Sequence, residues 1–305
     1  MAGICAQGVP VYIVTGATGN TGTVVAETLL AKGEKVRVLG RSAEKLQPFV
    51  AKGAEACVAD VTDEVALTKA FNGATAVYAM LPPDMKAEDM RQRQLSQARA
   101  LVAAIGKAGV KQVVFLSSVG AQNAEGCGPV SGLHHVEKMF NGIAGANVLS
   151  LRPAYFMENF LMLIGMIKNM GMMGGVIKAD VPLPVIATRD IGPVAAEALL
   201  KRDWTGNATR ELLGQRDITM AEAAKILGAA IGKPGLGYTA FPGFMAKPAL
   251  TQMGLSKSIA DGLVEMSEAI NERRMAPLEK RSPANTTPTS IEWFAEHVFA
   301  PAFAK

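Results

Sequence analysis

Apolar residues come in short blocks, separated by longer stretches with helical spacing. The block 9–15 (Val-Pro-Val-Tyr-Ile-Val-Thr) is β-branched and apolar on both faces, as a buried parallel strand requires. A glycine turn follows. Val24, Val25 and Leu29 then keep a helical period until Gly33 stops it. Further strands are predicted at 35–40, 54–59, 75–81, 112–118 and 147–152. Helices are predicted between them at 42–46 onward, 63–72, 87–108 and 132–142, the first capped by Ser42. Strands alternating with helices in such short units predict an α/β fold with a doubly wound parallel sheet and right-handed crossovers.

After Pro153 the pattern changes. The stretch 155–177 holds six methionines: Met157, Met162, Met166, Met170, Met172 and Met173. Flexible thioethers suit either the core beneath a long helix or a mobile wall over a ligand pocket. A strand at 181–187, followed by a helix to Lys201, is expected to return to the main sheet. Residues 203–282 are mixed, with a strand near 211–213, helices at 220–232 and 256–272, and an extended segment at 238–241; Ser290 caps a last helix over 291–299. The expected organisation is a sheet domain of 1–153 plus about 181–202, and a smaller mixed α/β substrate domain of about 154–180 and 203–305.

Composition narrows the function. With 305 residues, 49% hydrophobic and 19% charged, the chain can bury a large core and is not disordered. A net charge of +4 over this length gives no basis for a nucleic-acid partner. Three cysteines (Cys5, Cys57, Cys127) form neither a disulfide framework nor a metal-ligand spacing, so no metal site is expected. The first ten residues lack a secretory pattern, and the run Leu161 to Ile167 is too short to span a membrane. The expectation is a cytoplasmic protein with no membrane association.

The strongest chemical signal is the segment Thr15 to Gly22, with Gly16, Gly19 and Gly22 in a G-x-x-G-x-x-G spacing between a strand and a helix. Gly16 permits the turn, Gly19 lets backbone approach a pyrophosphate, and Gly22 allows close helix–strand packing. Thr18, Asn20 and Thr21 lie on the same turn, where the helix start offers free N–H groups to phosphate.

This turn, the run Ser117-Ser118-Val119-Gly120-Ala121 and the run Leu151 to Asn159 together resemble the NmrA-like branch of the atypical short-chain dehydrogenases, over about residues 10–200. The resemblance implies a Rossmann-type domain with a smaller C-terminal domain and a pocket between them. It also implies that Asp60 and Val61 lie by the adenine, that Met80 and Leu81 line the cofactor, and that Ser117, Lys138 and Pro153 contact it. The second strand ends Leu39-Gly40-Arg41-Ser42 with no acid before Glu44, and Lys45 follows. An arginine there suits a ribose 2′-phosphate, so NADP(H) is expected over NAD(H).

Tyrosine-dependent relatives carry Tyr-x-x-x-Lys on the helix after the fifth strand. Here that helix reads Ser131-Gly132-Leu133-His134-His135-Val136-Glu137-Lys138, without the tyrosine. His134 and Lys138 share one helix face at i, i+4, and a histidine serves as an acid near neutral pH. His134 occupies either the tyrosine's place or the lysine's. Ser118 and Tyr155 are further catalytic candidates; Tyr155 offers a substitute hydroxyl or packs as an aromatic, and Asn159 follows it. Two functions stay open. One is an NADPH-dependent reductase of a small apolar carbonyl, imine or quinone. The other is a dinucleotide-sensing regulator that acts through a protein partner. A homodimer is compatible with either.

Overall fold

The computed structural model describes residues 9–305. The N-terminal segment with Cys5 lies outside the described residues. The first half alternates strictly: β1 (Val11–Val14), α1 (Asn20–Ala31), β2 (Lys35–Gly40), α2 (Ala43–Val50), β3 (Glu55–Val58), α3 (Glu64–Phe71), β4 (Ala76–Ala79), α4 (Met90–Ala108), β5 (Gln112–Leu116), α5 (Pro129–Asn141) and β6 (Asn147–Pro153). The predicted doubly wound Rossmann-type fold is what the chain adopts. Ser42 caps α2, its hydroxyl accepting the Lys45 N–H at 3.3 Å.

After β6 come β7 (Tyr155–Phe156), a 3₁₀ turn (Met157–Leu163), α6 (Ile164–Met170), β8 (Met173–Gly175), β9 (Leu183–Ile186), α7 (Thr188–Lys201), β10 (Asn207–Leu212) and β11 (Asp217–Ile218). The chain continues through α8 (Met220–Ala230), β12 (Tyr238–Ala240), α9 (Gly243–Gln252), α10 (Lys257–Asn271) and a C-terminal helical stretch from Ile291 to Ala304 with one π turn. The main sheet runs β10-β6-β5-β4-β1-β2-β3, with every neighbouring pair parallel. The order reverses between β1 and β4, and in open α/β sheets the crevice at such a reversal takes the ligand.

Strand alternation divides the core between the two faces. Tyr12, Val14, Val38, Tyr78 and Val114 face α1 and α7, and are buried with Val25, Leu29 and Leu199. Ile13, Leu39, Val77, Val113 and Phe115 face α3, α4 and α5, and are buried with Phe71, Leu101 and Phe140. Phe115 stacks on Phe140 with ring centroids 4.5 Å apart. A separate core, built around Phe160, Val185, Leu227, Phe294 and Phe299, holds the second layer together.

Two expectations fail here. The strand at Leu183–Ile186 does not return to the main sheet; it pairs with β7 and β11 in a three-stranded sheet of its own. The seventh main-sheet strand is instead β10, parallel to β6. As an edge strand its residues Asn207 to Arg210 are exposed or half-buried, so it lacks the continuous apolar run of a central strand. The helix at 188–201 packs against α1 and the main sheet. Nor is 155–177 one long helix. Pairing of Met173–Gly175 with Tyr238–Ala240 draws the chain out into a strand after α6.

The Phe115–Phe140 stack fixes α5 to the sheet. Phe140→Ala is expected to cost about 3–5 kcal/mol, measured by denaturant unfolding, without changing the far-ultraviolet signature of the fold.

Candidate functional site

The glycine turn joins β1 to α1 at the sheet reversal. Gly16 has φ +61°, and a side chain there would strike the Met80 sulfur. A Cβ at Gly22 would lie 2.2 Å from the Gly16 carbonyl oxygen, so only glycine lets α1 approach this closely. A Cβ at Gly19 would meet only the Gly16 carbonyl, leaving its outer side open. The Met80 N–H donates to Thr15 Oγ1 at 2.9 Å, and the buried Tyr78 hydroxyl donates to Thr21 Oγ1 at 2.9 Å. These bonds lock the turn to β4. Among the described residues no side chain caps the start of α1, and its first turn holds no acid, which leaves its N–H groups and positive dipole end to face an anion.

At the ends of β2 and β3, Arg41 and Lys45 are exposed and make no ion pair among the described residues. Arg37, by contrast, is committed to Glu55 at 2.7 Å. Asp60 Oδ1 accepts from the Thr62 N–H and hydroxyl at 2.9 and 2.6 Å, next to the buried Val61. Burial pushes the Asp60 carboxyl up. The Thr62 bonds and the Arg93 and Arg41 charges outweigh that and hold it below the ordinary value. The cap of α3 is Asp63, not Asp60.

Beyond Met80 and Leu81 a cavity of about 460 Å³ opens over the ends of β4, β5 and β6. Its wall is mainly apolar and includes Pro82, Leu133, Phe156 and Leu263. The methionines lining it are Met80, Met85, Met90, Met266 and Met275. None of the six in 155–177 does so: Met157 and Met173 are buried in the second core, and Met162 and Met170 are exposed. The methionine-rich stretch is therefore not the pocket wall. Its apolar residues close the smaller layer.

Ser117, Ser118, Tyr155 and Asn159 also line the cavity. Ser118 Oγ donates to the Val119 carbonyl at 3.0 Å. The Tyr155 hydroxyl is pushed up to about 12 by burial, against an opposing hydrogen bond with Asn159. Pro153 ends β6, its carbonyl accepting from the Val119 N–H at 3.0 Å. His134 and Lys138 are not part of the cavity wall. His134 Nδ1 lies 2.9 Å from the Ala121 carbonyl, which fixes that nitrogen as the protonated donor. Lys138, one turn on, is exposed.

Sequence reading missed the polar group beneath this cavity. Ser117 Oγ donates to Glu137 at 2.5 Å, and Arg152 holds both Glu137 oxygens at 2.9 and 2.6 Å. All three are buried. The signal was there: Glu137 falls between Leu133 and Phe140 on the apolar stripe of its helix, and a buried carboxylate needs a partner. Gln97 donates to the Pro82 carbonyl at 3.0 Å, and Gln94 Oε1 is buried with no partner in the wall. No helix among the described residues is long and apolar enough to cross a membrane.

The NmrA-like family pattern matches residues 11–294. The NAD(P)H azoreductase of Xenophilus azovorans is 30% identical over 265 residues, spanning 83% of this chain and 85% of that one. The crystal structure of an NADPH-dependent quinone oxidoreductase from Escherichia coli, complexed with NADPH, superposes with a TM-score of 0.79 at 25% identity, covering 95% of this chain and 99% of that one. The triphenylmethane reductase of Citrobacter sp., complexed with NADP(H), gives a TM-score of 0.76 at 22% identity, with 93% and 98% covered, which speaks to the fold alone. The chain belongs to the NmrA-like family.

Two outcomes follow from this geometry. Glu137→Gln takes from buried Arg152 the carboxylate that grips it with two hydrogen bonds and is expected to cost about 3–5 kcal/mol in chemical denaturation. Asp60 titrates lower in the folded chain than the ordinary value of about 3.9, so its contribution to stability is complete above that pH and fades as pH falls through the folded value. Asp60→Asn should therefore flatten the acid limb of a stability–pH curve and leave its neutral region's slope unchanged.

Proposed function

We propose that the protein is an NADPH-dependent reductase of small, flat, apolar acceptors such as quinones or azo compounds. The observation that carries this reading is the continuity of two features. Met80 both packs on Gly16 of the glycine turn and lines the apolar cavity. A dinucleotide whose pyrophosphate rests on the helix start would thus extend its reactive end along that wall. The residues fit such a group. The turn admits no side chain at Gly16 or Gly22 and leaves space outside Gly19, and the helix start is uncapped. Arg41 and Lys45 make no ion pair among the described residues, and Arg41 lies near Asp60, on the side where the adenosine ribose belongs. Arg41 would form charge-assisted bonds to a 2′-phosphate, which an NAD ribose lacks. The named activities of the azoreductase and the quinone oxidoreductase support this choice of acceptor class.

The bound dinucleotide supplies a hydride to the acceptor. The chain's own part is to bind, orient and exclude water. Leu133, Phe156, Leu263 and Met266 hold a flat ring against the wall and keep solvent out. Tyr155 keeps its proton throughout the physiological range and donates a hydrogen bond to the acceptor oxygen or nitrogen as charge develops there; the reduced anion takes its proton from solvent as it leaves the cavity. Ser117 is not free to do so, because Glu137 holds its proton. His134, bonded to Ala121, positions the loop after β5, and Lys138 takes no part in the step. The cavity is what favours a reductase over a regulator that only senses dinucleotide: such a sensor has no use for an apolar chamber beside the reactive ring.

Arg41→Ala is expected to weaken NADPH binding roughly 10- to 100-fold, with NADH changed little, in parallel calorimetric titrations. Equal losses for both would remove the 2′-phosphate contact. Tyr155→Phe is expected to lower kcat about 10²-fold with NADPH affinity intact. Unchanged steady-state turnover would remove the tyrosine from the step, whereas an equal loss in His134→Ala would return the proton-donor role to the histidine.

A further inference from the structure

The cavity has a roof. It is the segment 273–279, which leaves the end of α10 with Arg273 at φ +58° and carries Met275, Ala276 and Pro277 into the cavity wall. Polar contacts hold it from two sides. On one side, the loop after β5 reaches it: Asn123 Nδ2 donates to the Arg274 carbonyl at 2.7 Å, and Gln122 Nε2 to the Ala276 carbonyl at 3.2 Å. On the other side Asn285 Nδ2 donates to the Glu279 carboxylate at 3.3 Å, and the backbone itself is held by Glu211 of β10. Its two carboxylate oxygens accept the N–H groups of Leu278 and Glu279 at 3.1 and 2.8 Å. Glu211 is only 1% exposed, so these bonds form away from water.

The charge of Glu211 is matched from below. In the parallel pairing of β10 with β6, Glu211 is the register partner of Arg152, the residue that grips Glu137. The floor of the cavity at Ser117 and its roof at 278–279 are thus linked through buried charges: Ser117, Glu137, Arg152, Glu211. An apolar residue at 211 would satisfy a strand just as well. A carboxylate serves two needs there: it accepts two backbone donors from a segment with no strand partner of its own among the described residues, and it faces the Arg152 charge.

We propose that Glu211 is a positioning residue that sets the height of this roof, and with it the thickness of acceptor the cavity admits. The proposal rests on the reductase reading for its substrate, but the latch itself is a property of the chain. Glu211→Gln keeps the shape and removes the charge. It offers one acceptor oxygen to two N–H donors and turns an amide N–H₂ toward the other. The rest of the C-terminal strap keeps its own anchor, the Leu213 N–H to the Asn285 carbonyl at 2.7 Å, so the change should stay local.

The test uses the full chain loaded with NADPH, and has two readouts. Hydrogen exchange across 273–280 in Glu211→Gln is expected to be about tenfold faster than in the wild type, with exchange in the main sheet unchanged. The ratio of kcat/KM for a benzoquinone carrying tert-butyl groups, which stand out of the ring plane, over unsubstituted benzoquinone is expected to rise about fivefold, through KM rather than kcat. Met275→Ala, which trims the roof without touching the latch, should move that ratio in the same direction; if Glu211→Gln does not fold, Glu211→Asp, which keeps the charge but shortens its reach, carries the exchange comparison instead. Unaltered exchange at 273–280, or equal losses for both quinones, would overturn the proposal. A wild type that binds NADPH but reduces neither quinone would count against the reductase reading instead, and the exchange comparison would then decide the role of Glu211.

Discussion

The buried pair of Arg152 and Glu137 is the constraint on which the site depends. It ties α5 to the end of β6 with two short hydrogen bonds, and its carboxylate accepts the hydrogen bond of the Ser117 hydroxyl. Charges so placed are costly to bury, and mutual geometry offsets that cost only when every lone pair is used. Here Glu137 Oε1 accepts from both Ser117 and Arg152, and Oε2 from Arg152. The pair therefore rigidifies the floor of the cavity at the point where the reactive end of a dinucleotide would lie. It also assigns Ser117 a structural duty, which shifts the search for a hydrogen-bond donor to Tyr155.

The second constraint is backbone proximity at the glycine turn. Gly22 sits where any side chain would collide with the Gly16 carbonyl, and Gly16 where any side chain would collide with Met80. One contact thus packs the helix on the strand, and the other joins the turn to the cavity wall. Fold and site are coupled through atoms a few ångströms apart, so the phosphate-binding geometry and the apolar chamber cannot be varied independently.

Much of this was legible in the sequence. The alternating pattern of apolar blocks placed β1 to β6 within a few residues, and β1, β4, β5 and β6 read as continuous apolar runs because they are buried on both faces. Ser42 and Ser290 announced their helices through local capping, which needs no tertiary context. The glycine turn was legible for the same reason. What failed depended on distant partners. The strand 207–212 is half exposed at the sheet edge and shows no strong run, whereas 183–186 is apolar but pairs elsewhere. The methionines of 155–177 left core and cavity wall both open; Met157 and Met173 pack in the second core and none of the six lines the cavity. The roof at 273–279 carries no periodicity. It is held by side chains from 122, 123 and 211, which no local reading brings together.

The central claim is that the glycine turn and the apolar cavity serve one reaction. The most direct measurement is the rate at which wild-type protein consumes NADPH, followed by the nicotinamide absorbance, with and without quinone and azo acceptors. The account expects acceptor-dependent consumption that saturates in both reactants, with one acceptor reduced by two electrons per NADPH. Tight NADPH binding with no consumption under any of these acceptors would contradict it, and failure to bind NADPH at all would contradict the reading of the turn as well.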